Sequence, residues 1–97
     1  MKIGAHISTL KGIKKIPAKA HKMGCECFQF FSRSPHGDEN STISNSTIDE
    51  FRRECKKYNF KEYYIHAPYF INLASSVLKI RRDSINALKK ELEIAIN

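Results

Sequence analysis

The sequence has few cysteines, and their arrangement does not build a covalent framework. The 97 residues include three, Cys25, Cys27 and Cys55, an odd number with one Cys-x-Cys pair. This spacing matches neither a disulfide framework nor the Cys-x-x-Cys of a zinc knuckle. Cys25 and Cys27 share one face of a predicted strand, which is typical of small buried side chains. We therefore expect a reducing compartment and a cytoplasmic location.

Long hydrophobic runs are also missing. Residues 1–11 lack the apolar run of about 7–15 residues that signal peptides carry. Elsewhere the apolar runs fall short of the roughly 18 residues that a membrane span needs. We predict neither a secretory signal nor a membrane-spanning helix.

Acidic residues are outnumbered, because 10 Asp and Glu stand against 17 Lys and Arg, for a formal net charge of +7. Such an excess favours an acidic partner, nucleic acid first and an anionic membrane second. Most of the basic residues fall on the outward faces of predicted helices, however, where a charge run is usually just the solvated side. Long-range steering of a partner and a simple excess of solvated lysines are both consistent with the sequence.

Strand patterns alternate with helix patterns three times along the chain. The predicted strands cover residues 1–6, 25–31 and 61–66, and the predicted helices cover residues 13–23, 47–58 and 75–96. This alternation is typical of βαβ units and a parallel sheet. We predict an α/β fold in which residues 1–97 form three consecutive βα units of a single domain.

Several positions carry local signals. Gly4 is weak in a strand but allows a neighbouring strand to approach closely. Thr47 and Glu50 match a capping box, which predicts that the second helix is capped at Thr47. In the third helix Glu91 is expected on the polar face. That helix also has an apolar stripe at helical spacing, made of Ile85, Leu88, Leu92 and Ile96.

The most informative stretch follows the third strand. His66 ends the strand, because Ala67-Pro68 removes a backbone donor and stops the ladder. The loop then presents Tyr69 and Phe70. In parallel α/β folds, ligands bind at the carboxyl ends of the strands. That rule gathers several polar and aromatic residues on one rim: His6, Gln29, Arg33, His36, His66, Tyr69 and Asn72.

A purely structural interpretation fits the same stretch. His66 would then be half-buried and hydrogen-bonded to the backbone, with Tyr69 and Phe70 in the core. Among the basic side chains, only Arg33, His36 and Lys11 lie in strand-end loops from which they could touch a phosphate. The long polar connection at residues 32–46 is of a kind that is often functional or disordered.

Four segments, in order and spacing, resemble endonuclease IV, the zinc-dependent apurinic/apyrimidinic endonuclease family. They are Gly-Ala-His-Ile-Ser at 4–8, Phe-Gln-Phe-Phe-Ser at 28–32, Thr-Ile-Asp-Glu-Phe at 47–51 and His-x-x-Tyr-x-Ile-Asn-Leu at 66–73. The resemblance implies a TIM (β/α)8 barrel of the xylose-isomerase-like type. It also implies DNA repair, through hydrolysis of the phosphodiester 5′ to an abasic site in double-stranded DNA.

The resemblance further implies roles for individual residues. His66 matches a ligand of one zinc ion. Tyr69 and Phe70 match a pair that wedges into the DNA minor groove at the lesion, and Asn72 lies in the same loop. His36 stands where the family usually inserts an arginine into the base stack, and the nearby Arg33 is predicted to supply charge to the DNA instead.

The chain departs from the family in length. A complete barrel has eight strands and roughly 250 residues. We therefore expect the first part of an incomplete barrel, with one ligand for the family's three zinc ions, inactive alone and completed by a second segment. The alternatives are a non-catalytic DNA-binding fragment and a sugar isomerase or epimerase fragment of the same superfamily. The loop at 69–72 argues against the second, because small sugars need no DNA wedge.

Overall fold

A computed structural model describes residues 1–33 and 43–96 of the chain. Three parallel strands form one sheet in chain order: β1 is Gly4–His6, β2 is Cys27–Phe30 and β3 is Tyr63–Ile65. A helix follows each strand: α1 is Ile16–Lys22, α2 is Asn45–Lys57 and α3 is Leu78–Ile96. The three predicted βα units with parallel strands are confirmed, and each strand is shorter than the run that predicted it.

Strands β1 and β2 approach closely at Gly4. Gly4 pairs with Cys27, and His6 pairs with Gln29. A Cβ atom on Gly4 would lie 1.9 Å from the Cys27 carbonyl oxygen, far inside any van der Waals contact. Only glycine fits this position, and the close approach predicted at Gly4 is confirmed.

The hydrophobic core lies on one face of the sheet, under α1 and α2. Phe28 and Phe30 alternate with the less buried Cys27 and Gln29, as strand geometry requires. The Phe28 ring meets the Phe60 ring edge-on at 5.0 Å between centroids. The remaining core side chains come from the end of β1, the short 3-10 helix before α1, and the two helices: Ile7, Ile13, Ile16, Ala20, Phe51 and Cys55.

The N-cap of helix α2 lies three residues before the predicted one. Ser44 is the N-cap residue, and its Oγ accepts a hydrogen bond of 3.3 Å from the Thr47 backbone N–H. The prediction that Thr47 caps this helix is wrong, because the serine three residues upstream already satisfies the donor. Phe51 and Cys55 of this helix are both in the core.

Helix α3 meets the rest of the molecule through small and polar side chains. Its buried residues are Ser84, Ala87 and Glu91, so the prediction that Glu91 lies on an outward polar face is wrong. The apolar stripe is instead largely exposed, at 43% for Ile85 and 53% for Leu92. Glu91 is buried because Ser32 and Arg33 bond to its carboxylate, and these partners are distant in the sequence.

In the part of the chain that the structure describes, none of the helices has the length and apolar character required to cross a bilayer.

Candidate metal and nucleic-acid site

The carboxyl ends of the three strands form one continuous rim. Two backbone hydrogen bonds extend the ladders past the strand ends: Ile7 N–H donates to the Gln29 carbonyl at 2.7 Å, and His66 N–H donates to the Phe30 carbonyl at 2.9 Å. Parallel ladders bring residues at the same end of neighbouring strands side by side. The side chains of His6, Phe31 and His66 therefore meet at this end of the sheet.

Four rings pack together there, and we call His6, Phe31, His66 and Tyr69 the rim cluster. The centroid of the Phe31 ring lies 4.7 Å from that of His6, 4.8 Å from that of His66 and 5.2 Å from that of Tyr69. The centroid of the His66 ring lies 6.1 Å from that of His6 and 5.9 Å from that of Tyr69. These spacings are within the range of favourable aromatic pairs. The predicted gathering of His6, His66 and Tyr69 on one rim is thus present in the structure.

The His66 imidazole is half-buried and is oriented by its own backbone neighbour. Its Nδ1 lies 2.6 Å from the carbonyl oxygen of Ala67. A carbonyl oxygen can only accept, so Nδ1 carries a proton, and Nε2 is the ring nitrogen that can offer a lone pair to a metal. Metal-binding histidines commonly show this arrangement, with one ring nitrogen bonded to a carbonyl and the other on the metal.

The loop after His66 presents aromatic side chains to solvent. Pro68 is buried and anchors the loop, whereas Tyr69 is 67% exposed and Phe70 is 44% exposed. The purely structural interpretation is therefore half right: His66 is hydrogen-bonded to the backbone, but Tyr69 and Phe70 are not core residues. Exposed rings on an anchored loop form a surface suited to contacting a flat partner.

Asn72 closes this loop against α3. Its backbone N–H donates to Ser84 Oγ at 2.8 Å, and its side-chain Oδ1 accepts from the Ala74 N–H at 3.2 Å. Ser84 Oγ in turn donates to the Ile80 carbonyl at 2.7 Å. The Asn72 side chain thus shapes the turn.

Arg33 is held by the same helix. Its Nε lies 2.6 Å from Glu91 Oε1, and its Nη2 donates to the Ala87 carbonyl at 3.2 Å. Ser32 Oγ donates to the other oxygen of Glu91. The residues that open the long polar connection are thereby tied to α3. His36, the other predicted DNA contact of this connection, lies outside the described residues.

Sequence reasoning missed Phe31 and Glu91. The sequence predicts Phe31 only as the end of an aromatic strand, although it falls on the same alternating face as Cys27 and Gln29, opposite the core. That alternation was the available signal. No local pattern marks Glu91, because its partner Arg33 lies 58 residues away in sequence.

A complete metal site is not present among the described side chains. Within residues 1–33 and 43–96, no group of three or more His, Cys, Asp and Glu could hold a metal ion. Zinc sites use three or more protein ligands. His66 fits one position of such a set through Nε2, and the described residues do not supply the others.

Comparison with known proteins assigns the chain to a family. The model of the family described as xylose isomerase-like TIM barrel matches residues 17–97. The chain belongs to the xylose isomerase-like TIM barrel family. Among its relatives are proteins named probable endonuclease 4, from Clostridium beijerinckii at 37% identity over 93 residues and from Symbiobacterium thermophilum at 36% over 95 residues.

A solved structure agrees with these relatives. The crystal structure of endonuclease IV from Thermus thermophilus matches with a TM-score of 0.91 and 26% identity, covering 99% of this chain and 36% of that one. The match to the C. beijerinckii protein covers 96% of this chain and 34% of that protein. The chain thus spans about a third of the length of the relatives it matches, and the predicted resemblance to endonuclease IV is confirmed.

Membership of the xylose isomerase-like TIM barrel family shows which face of the sheet points to the helices and which to the barrel interior. In a TIM barrel the helices form an outer ring, and inward side chains fill the interior. The face opposite α1 and α2 is therefore the interior face of the barrel. The rim cluster lies at its carboxyl end, where the active sites of TIM-barrel enzymes are built. Strand alternation assigns these residues to that face: Gly4, His6, Cys27, Gln29, Phe31, Tyr64 and His66.

Proposed function

We propose that this chain supplies the lesion-recognition part of a zinc-dependent DNA-repair endonuclease, whose complete barrel hydrolyses the phosphodiester 5′ to an abasic site. The observation that carries the proposal is the pairing within the rim cluster. The His66 ring, a candidate zinc ligand, lies 5.9 Å from the ring of the exposed Tyr69. The endonuclease 4 names of the relatives support the same function.

On the metal side, the chain contributes one oriented imidazole. His66 would hold zinc through Nε2, because Nδ1 is occupied by the Ala67 carbonyl. When bound, zinc supplies Lewis acidity and lowers the pKa of water. The role of this chain is to present the imidazole with Nδ1 already bonded to the backbone, so that little ordering is needed when the site forms.

On the DNA side, the loop contributes Tyr69 and Phe70. An abasic site leaves a gap in the base stack, and apolar rings that enter such a gap unstack the neighbouring step at low cost. Both rings are exposed, and the loop that carries them is anchored at Pro68 and Asn72. We assign lesion recognition to these two rings, with Asn72 shaping the loop.

Two further DNA contacts stay predictions. His36 takes the place at which the family usually inserts an arginine. Arg33 is already paired with Glu91, so a contact between its guanidinium and a phosphate would compete with that ion pair. In our proposal Arg33 primarily fixes the start of the connection that carries His36.

The remaining units of the barrel would cover the open flank of this chain. Strand β3 ends the sheet on one side, and a groove of about 300 Å³ runs between it and α3. The groove is lined by Tyr64, Ile65, Leu88 and Leu92, among others. A further parallel strand and its helix would pair with the edge of β3 and bury the apolar stripe of α3. A second segment that carries those units is the partner that we assign to this surface.

Reconstitution tests the proposal. The 97-residue chain would be combined with a separate chain that carries the remaining two thirds of the C. beijerinckii relative, and zinc-dependent cleavage of abasic and intact duplexes would be measured. We expect cleavage of the abasic duplex only when both chains and zinc are present. The His66→Gln variant should abolish it, whereas His21→Gln, on the exposed surface of α1, should not.

A non-catalytic DNA-binding role is the second candidate, because the described residues hold no group of three or more side chains that could bind a metal ion. That role predicts binding of abasic duplex that weakens steeply with salt, and no cleavage in the reconstituted mixture. Cleavage by the 97-residue chain alone would contradict the need for a second segment. Failure to distinguish abasic from intact duplex in either assay would contradict both candidates.

A further inference from the structure

Phe31 contacts every other ring in the rim cluster at a short distance. Its centroid is within 5.2 Å of those of His6, His66 and Tyr69, whereas those of His6 and Tyr69 are each about 6 Å from that of His66. The two imidazoles and the tyrosine therefore rest on one phenyl ring. Nothing in the chemistry assigned above uses Phe31 directly, because a phenyl ring neither binds a metal nor moves a proton.

The backbone around Phe31 is fixed on both sides. The Gln29 carbonyl accepts from β1 through Ile7 N–H, and the Phe30 carbonyl accepts from the third strand through His66 N–H. The next residue, Ser32, is tied to Glu91 by its hydroxyl. The residues on either side of Phe31 are thus bonded to the first strand, the third strand and α3. These bonds fix the backbone that carries the Phe31 ring.

Two of the rings that Phe31 contacts lie at or beyond the end of the third strand. Tyr69 lies on a loop and is 67% exposed. The hydrogen bond from His66 Nδ1 to the Ala67 carbonyl selects a tautomer, but one bond does not fix the plane of the ring against rotation. A fixed phenyl ring in contact with both restricts their relative orientation.

We infer that Phe31 is a positioning residue that holds the His66 imidazole and the Tyr69 ring in one mutual geometry. The inference rests on the proposed function for what His66 and Tyr69 bind. It makes Phe31 the mechanical link between the metal side and the DNA side of the site. Flatness is the property that matters, because an aliphatic side chain of similar bulk offers no ring edge or face to its neighbours.

Nuclear magnetic resonance of the 97-residue chain tests this directly, in the absence of metal and DNA. The readouts are the ring nitrogen shifts of His66, which report its tautomer, and the nuclear Overhauser effect between the His66 and Tyr69 rings. In the wild type we expect the Nδ1-protonated tautomer and a clear effect between the two rings. Phe31→Leu should mix the tautomers and reduce that effect to less than half.

Two variants separate positioning from general destabilisation. Phe31→Tyr keeps a flat ring and should restore both readouts. Phe60→Leu removes a core ring that packs on Phe28, away from the rim cluster, and should lower stability without changing either readout. Should Phe31→Leu fail to fold, as judged from its amide spectrum, Phe31→Met provides the same loss of a flat ring with an adaptable side chain.

Wild-type rings without the effect, or a Phe31→Leu variant that keeps both readouts, would overturn the inference. A separate DNA measurement keeps it distinct from the proposed function. If the wild type prefers abasic duplex, Phe31→Leu should reduce that preference by about fivefold, the size of one lost aromatic contact. If the wild type shows no such preference, the proposed function fails, while the resonance measurements still decide the role of Phe31.

Discussion

Arg33 and Glu91 form an ion pair that is almost completely removed from solvent. The Arg33 Nε and Glu91 Oε1 atoms are 2.6 Å apart, and the two side chains are only 10% and 5% exposed. The pair joins the residue that leaves the second strand to the middle of the third helix.

Removing the charge of Glu91 should destabilise the chain strongly. Glu91→Gln leaves the Arg33 guanidinium buried without a counter-charge, so we expect the free energy of unfolding in urea to fall by about 3 kcal/mol. Asp83→Asn breaks the exposed Lys79–Asp83 pair on the same helix and should cost less than about 1 kcal/mol. Equal losses in the two variants would contradict a specific role for the buried pair.

Replacing both partners gives the complementary result. The double variant Arg33→Met with Glu91→Leu removes both buried charges, so it should recover most of the stability that Glu91→Gln loses. A double variant as unstable as the single one would show that Ser32 and the Ala87 carbonyl, also bonded to this pair, dominate the energetics.

Substitution of Gly4 should disrupt pairing of the first two strands. In Gly4→Ala the new methyl group would lie 1.9 Å from the Cys27 carbonyl oxygen, which is a backbone atom and cannot rotate away as a side chain could. We expect a loss of about 3 kcal/mol, at the upper end of overpacking costs. Gly12→Ala is the matched control: it has a φ of 86° and no neighbour within 4 Å, so it should cost only about 1–2 kcal/mol of backbone strain.

The stability of the chain should decline at alkaline pH through Cys55. Burial, with a smaller contribution from Glu54, raises the pKa of the Cys55 thiol from 9.0 to about 12. Between those values the folded chain keeps a proton that the unfolded chain has lost, so stability is intact below pH 9 and falls as the pH rises toward 12. The contribution to the slope is at most about 1.4 kcal/mol per pH unit.

Cys55→Ala isolates this contribution, because other groups also titrate in the same range. The difference in unfolding free energy between wild type and Cys55→Ala should be constant up to pH 9 and shrink above it. A difference that does not change with pH would show that the thiol ionises equally in both states.

Preference for abasic DNA should depend on Tyr69. Tyr69→Ala removes the exposed ring beside His66, so affinity for abasic duplex should fall by about tenfold, in keeping with the loss of one stacked ring. Affinity for intact duplex should change little, because charge dominates nonspecific binding. Leu73→Ala, an exposed apolar residue next to the same loop, is the control and should leave the preference unchanged. Fluorescence anisotropy on the two duplexes gives both affinities.

The carboxyl-end rule predicted where the site would lie but not what would surround each residue. His66, Tyr69 and His6 meet because parallel strands bring their ends together. The end of the third strand before Ala67-Pro68 could be predicted from the local sequence. Phe31 was visible only through alternation, which requires knowing which face of the strand is buried. The place of Arg33 could not be inferred, because its guanidinium had two plausible partners, a phosphate and a distant carboxylate.

The sequence by itself determined the alternation of strands and helices and a histidine at the end of the third strand. Both depend on short-range patterns, namely the side-chain period and the effect of proline on its neighbour, whereas the need for glycine at position 4 comes from the Cys27 carbonyl of the neighbouring strand. The tertiary structure decided that α3 docks through Ser84 and Glu91, with much of its apolar stripe exposed, and that Phe31 supports the rings at the rim. Those outcomes depend on contacts between residues up to 59 positions apart, such as Ser32 with Glu91, and no local pattern encodes them.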